Sequence, residues 1–180
     1  MSHSQSTELF TPEQAEERLR QHIAQIPPLQ DADVARVPDL DTAGLYAFSV
    51  MPQLTGRAGE VIYLLGPTEL LTSGQPADFD KLMNRLGVGR KPGVLDVHTF
   101  ARLFLRMRAI RYGVVLDRPD GHVLLAPEQL PPERFSPPHV DFDADGTCYR
   151  FWMFDTDRME PVFWNVRVNQ DGLTTFTSSN

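Results

Sequence analysis

The chain of 180 residues has one cysteine, Cys148. A single thiol closes no intrachain disulfide, so a disulfide scaffold is excluded and a reducing cytoplasm is the expected setting. Long apolar runs are missing too. No stretch approaches the ~18–20 apolar residues that cross a bilayer as a helix, so no membrane partner is expected. The opening "MSHSQSTELF" has neither a basic start nor an apolar core, and it reads as no signal peptide. Positive charge is in deficit: 17 Lys and Arg stand against 24 Asp and Glu, a net charge of −7. Nucleic-acid binding needs a basic footprint, so nucleic acid is not an expected partner either. There is no G-x-S-x-G elbow, no H-E-x-x-H and no cysteine pair. No repeat of solenoid period is present.

What is present suffices for a folded core. Hydrophobic residues make up 41% of the chain, which argues against wholesale disorder. Residues 1–10 read as a flexible tail and residues 11–180 as a single α+β domain. "TPEQAEERLRQHIAQI" predicts a helix: Thr11 caps, Pro12 suits the first helical position and Gln14 completes a capping box. Ala15, Leu19, Ile23 and Ile26 form its apolar stripe, and Pro27 and Pro28 end it. An acidic, proline-containing connection follows, "PPLQDADVARVPDLDTAG".

Strands are predicted at "LYAFSVM", "EVIYLLG" and, shorter, "TELLTSG". Two helices come next, "DFDKLMNRLG" with Asp78 as cap and Gly87 as stop, and "DVHTFARLFLRMRAI" with Asp96 as cap. The remainder reads as hairpins. Tyr112–Asp117 and His122–Ala126 flank "RPDG", Cys148–Asp155 and Val162–Val168 flank "TDRMEP", and Leu173–Thr177 follows "NQDG". Asp-Gly steps tolerate the positive φ values that tight turns demand. Helices and strands segregate without βαβ alternation, so the expected class is α+β, an antiparallel C-terminal meander packed against about three helices.

Several stretches invite a functional reading. "DFDADG" resembles the opening of a calcium loop, but counting from Asp141 the twelfth position is Trp152, where an EF-hand needs a bidentate Glu. The expectation is a turn, with Val140 and Phe142 facing the core and the aspartates facing water. No metal and no cofactor is expected. "GVGRKPG" has the glycines of a phosphate loop but follows a helix and lacks the Gly-Lys-Ser/Thr ending, so its glycines connect two helices. Arg90 and Lys91 could still help the following helix N-terminus attract an anion. Cys148 lies in a predicted strand and reads as a small buried hydrophobe. "PEQLPPERFSPPH" holds five prolines and is expected to be an extended crossing loop.

The sharpest anomaly is charge segregation. Lys81–Arg118 holds nine basic residues against Asp96 and Asp117, a net of +7 in a chain whose total is −7. On the second of the paired helices His98, Arg102 and Arg106 form a polar stripe opposite Phe100, Leu103, Phe104, Met107 and Ile110. Trp152 and Trp164 lie in adjacent strands rich in large apolar groups and serve either the core or a binding patch.

Two function classes fit these residues. The first is a non-catalytic binding or accessory protein, inhibitor- or immunity-like, that contacts another protein. The second is a small enzyme or anionic small-ligand binder with its site between the basic helices and the sheet. The candidate binding residues are Arg90, Lys91, His98, Arg102, Arg106, Trp152 and Trp164.

One expectation can be checked directly. An indole ligates no calcium, so calorimetry with calcium should give no micromolar isotherm; a site of that affinity that vanishes in Asp143→Ala would contradict the turn reading.

Overall fold

The computed structural model describes residues 10–53, 59–110, 113–121 and 130–179. The predicted strand His122–Ala126, Tyr112, most of the N-terminal tail and the start of the proline-rich loop lie outside them. The architecture is α+β, with antiparallel sheets throughout. Two compact units divide the chain, Met1–Thr72 and Ser73–Asn180.

The first unit starts with the capping box read from the sequence. The Thr11 hydroxyl accepts the Gln14 N–H at 3.3 Å, and the Gln14 side chain accepts the Thr11 N–H at 2.9 Å. The helix α1 runs Pro12–Ile23. Its Ala15, Leu19 and Ile23 recur every four residues and so share one buried face. That face packs on a four-stranded sheet ordered β1-β2-β3-β4 (Asp33–Arg36, Tyr46–Met51, Val61–Leu65, Leu70–Thr72). Phe48, Val50, Tyr63 and Leu65 supply the sheet side of this core. The alternating residues Ala47, Ser49, Ile62 and Leu64 are buried as well. Burial of both faces explains why these strands read as continuous apolar runs.

Strand β1 corrects the reading of its segment as a plain connection. Its four residues alternate exposed and half-buried, and they pair with Phe48–Met51 of β2. Asp, Ala and Arg are weak strand formers, so local sequence carried little signal. An ion pair holds the end of β1: the Arg36 guanidinium meets both oxygens of Asp41 at 2.7 Å.

The second unit has two helices, α2 (Pro76–Leu86) and α3 (Val97–Met107). Its five-stranded antiparallel sheet contains β5 (Gly113–Leu116), β6 (His139–Asp143), β7 (Gly146–Asp155), β8 (Glu160–Val168) and β9 (Thr174–Ser179). β6 pairs with residues 146–150 of β7 and β5 with residues 152–155, so these two short strands lie end to end along one side of β7. β8 and then β9 extend the other side.

The three hairpin turns after β6 share one device. A side-chain oxygen at the end of the first strand accepts a backbone N–H two residues on: Asp143 from Asp145 at 2.8 Å, Asp155 from Asp157 at 2.9 Å, and Asn169 from Asp171 at 2.9 Å. Short Asx side chains reach those donors without strain, which is why Asp and Asn punctuate this half.

The helices pack on one sheet face through rings. Phe100 lies flat on Tyr149, centroids 3.6 Å apart. Phe104 meets Phe79, Trp164 and Phe176 edge-on at 5.7, 5.5 and 5.4 Å. On the opposite sheet face Trp152, Phe154, Leu116 and Leu130 form a second cluster, with Phe135 and Phe163 packed against it.

Two local expectations fail. Asp78 does not cap α2; the helix begins earlier, with Gln75 as cap residue and Pro76 inside. Proline's fixed φ suits that first turn, and Asp78 pairs with Lys81 at 3.0 Å instead. Val140 and Phe142 do not face the core either: both are exposed. Their register does put them on the helix side of the sheet, but α3 packs over β5 and β7 rather than β6.

Asp96 does cap α3, accepting the His98 and Thr99 N–H groups at 3.0 and 2.9 Å and the Thr99 hydroxyl at 2.6 Å. The hydroxyl bond, then the backbone bond from Thr99, hold its carboxyl below the ordinary value of 3.8. Asp96→Ala should therefore lower stability by about 1 kcal/mol near neutral pH. A folded pKa below the unfolded one gives stability that is complete above 3.8 and is lost as pH falls through the folded value. Denaturation curves of wild type and variant should converge in acid, whereas Asp96→Asn should keep most of the cap without that pH dependence.

Candidate functional site

The sequence of α3 sorts its side chains by angle. Val97, Phe100, Ala101, Leu103, Phe104, Leu105 and Met107 are buried. His98 and Arg102 are exposed and Arg106 is half-buried. An arc that wide leaves the cations only the solvent side. His98 is engaged there, its Nε2 3.0 Å from Asp117 Oδ1 at the end of β5. Arg108, at the helix end, lays its guanidinium 5.1 Å above the Phe176 ring.

The glycine-rich loop before α3 is explained by packing. Gly87 ends α2 in the left-handed region, φ 74°, a conformation glycine adopts without steric cost. Gly89 lies against the Asn169 backbone, where a Cβ would overlap the carbonyl oxygen. Arg90 donates to the Asn84 carbonyl at 2.6 Å and to its side-chain oxygen at 3.2 Å, satisfying the end of α2. Lys91 is exposed.

The structure thus separates the seven candidate residues. Trp164 is buried under Phe104 on the helix side, and Trp152 belongs to the core cluster on the opposite face. Arg90 caps α2, and His98 pairs with Asp117. Lys91 and Arg102 are exposed, whereas Arg106 is half-buried and engaged.

A second polar arrangement was not anticipated. On the outer sheet face, beyond Trp152, the pairing register aligns His139 and Asp141 of β6 with Arg150 and Cys148 of β7, and those with Asn165 and Arg167 of β8. Arg150 bonds Asp141 and lies 3.3 Å from His139 Nε2. Arg167 grips both oxygens of Asp143 at 2.8 and 3.0 Å, and that bond holds the Asp143 carboxyl below its usual range. The buried Cys148 thiol donates to Asn165 Oδ1 at 3.0 Å. Cys148, Arg150, Asn165 and Arg167, with Thr175, Phe176 and Thr177, line an open depression of about 240 Å³. The alternation in "HVDFD" already put His139, Asp141 and Asp143 on one face, but their arginine partners depend on a register that no local pattern specifies.

Chemically this face is a compensated ladder: each arginine has its own aspartate. Among the described residues no group of three or more His, Cys, Asp or Glu converges to hold a metal ion. No helix among them is long and apolar enough to cross a membrane. No family model, curated protein or solved structure matches the chain.

Proposed function

We propose that the protein is a non-catalytic binding protein of the cytoplasm, accessory, inhibitor- or immunity-like in role, that docks an acidic partner protein on its basic helical surface. The observation that carries this reading is where the segregated charge ends up. The exposed arc of α3 presents Arg102, and the loop before it presents Lys91, in a chain of net charge −7. A basic face on an acidic protein steers association with an acidic surface.

A small enzyme or anionic-ligand binder with a site between the helices and the sheet is less well supported. That layer is filled by Phe79, Phe100, Phe104, Tyr149, Trp164 and Phe176, and a ligand there would have to displace core rings. The outer depression offers two arginines, but Asp141 and Asp143 already neutralise them.

Fluorescein-labelled polyglutamate is a direct probe of the basic surface. Binding should be saturable and should weaken with added salt, because exposed charges are screened. The double reversal Lys91→Glu/Arg102→Glu should weaken it at least about tenfold, chiefly through slower association. The melting midpoint should stay near that of wild type, since exposed charges contribute little to folding. Absent binding, or binding untouched by the reversal, would overturn the proposal.

A further inference from the structure

Sheet edges expose unpaired N–H and C=O groups, and proteins guard them with charge, proline, bulges or brevity. The edges among the described residues follow that rule with one exception. β1 carries Asp33 and Arg36, β4 has three residues, β5 has four, and β6 carries His139, Asp141 and Asp143. β9 has six residues, "TTFTSS", with no charge and no proline, and five of the six are exposed.

Two bonds fix which of its backbone groups point outward. The Asn169 N–H donates to the Leu173 carbonyl at 3.0 Å, so residue 173 faces β8. Antiparallel pairing then turns Thr175, Thr177 and Ser179 toward β8 and Thr174, Phe176 and Ser178 away from it. The Thr174 N–H agrees: it points away from β8 and donates to Asp80 Oδ1 of α2 at 3.0 Å. Asp80 thus closes the start of the edge. Phe176 and Ser178 keep outward N–H and C=O groups that no described residue bonds.

We propose that this edge pairs with β9 of a second copy of the chain, antiparallel, across a two-fold axis at Thr177. Outward-facing residues must meet outward-facing residues, which sets the register. Phe176 lies opposite Ser178 of the second copy, and Ser178 opposite its Phe176, each pair exchanging two backbone hydrogen bonds. Thr177 faces its own symmetry mate, and Thr175 faces Ser179. The interface is isologous, as a closed dimer requires.

Charge selects this occupant. The strand is neutral along its length, so it offers a foreign strand no charge to recognise. Against itself it sets hydroxyl opposite hydroxyl on the outer face, a favourable cross-strand pairing, with no like charges opposed. The paired strands themselves carry no acid, so two chains of net charge −7 oppose no carboxylates along them. Pairing also flanks the Phe176 ring, which is 40% exposed in the single chain.

Sedimentation velocity of the full chain across the micromolar range tests the pairing. The wild type should reach a dimer with rising concentration. Ser178→Pro removes an outward N–H and no bond to β8, so it should give a monomer with an unchanged melting midpoint in dilute solution. Thr177→Lys opposes two like charges at the axis and should also give a monomer, as should Thr177→Glu. An equimolar mixture of those two variants should restore the dimer, a result that only the Thr177–Thr177 register predicts. A wild type that stays monomeric throughout would overturn the proposal. So would a dimer that survives Ser178→Pro, or a mixture that fails to reassociate. None of these outcomes bears on the basic helical surface, which the polyglutamate probe tests separately.

Discussion

The ring layer between α2, α3 and the five-stranded sheet is the constraint on which the second unit depends. Phe100 on Tyr149, and Phe104 among Phe79, Trp164 and Phe176, fix the rotation of α3 about its axis. Once that rotation is set, His98 and Arg102 have only solvent to face. The charge segregation of the surface is therefore a consequence of aromatic packing. The same packing brings the Tyr149 hydroxyl to the Leu95 carbonyl at 3.3 Å, and burial pushes that phenol's pKa far up, so it stays a neutral donor.

The opposite face of the same sheet obeys a different balance. One end is apolar, with Trp152 and Phe154 covered by Leu116 and Leu130. The other end carries ionic groups that pair across strands, Arg150 with Asp141 and Arg167 with Asp143. Such exposed pairs add little stability, but they oppose register slips, because a slip would move every charge to the other face. β6 and β7 are tied by one pair, β6 and β8 by the other. β9 lies beyond this ladder and shares none of its ion pairs.

Local chemistry was legible where a residue acts on its near neighbours. Thr11 with Gln14, Asp96 and Gly87 mark helix ends through bonds or backbone shapes set within a few residues. The apolar runs at β2, β3 and β7 read as strands because both faces of each are largely buried. Legibility failed where the deciding contact is distant in sequence. β1 owes its existence to pairing with β2, not to its own Asp, Ala and Arg. Phe142 alternates like a core residue yet is exposed, because α3 covers other strands. The glycines of "GVGRKPG" look like a ligand loop until the Asn169 backbone is found beside Gly89. The basic stripe was visible from the helical period, whereas the partners of Arg150 and Arg167 were not, since they come from strand register.

Phe104 touches more of the ring layer than a single stacking pair does, so its removal probes the central claim most directly. Urea unfolding of Phe104→Ala, followed by tryptophan fluorescence, should show a loss of about 3–5 kcal/mol, as expected for a large core aromatic whose neighbours cannot all collapse into the gap. The folded-state emission should also shift, because Trp164 loses the ring 5.5 Å from its own. A loss below about 1 kcal/mol with unchanged emission, the size expected of a surface position, would contradict the account that this layer holds α3 and its basic surface in place.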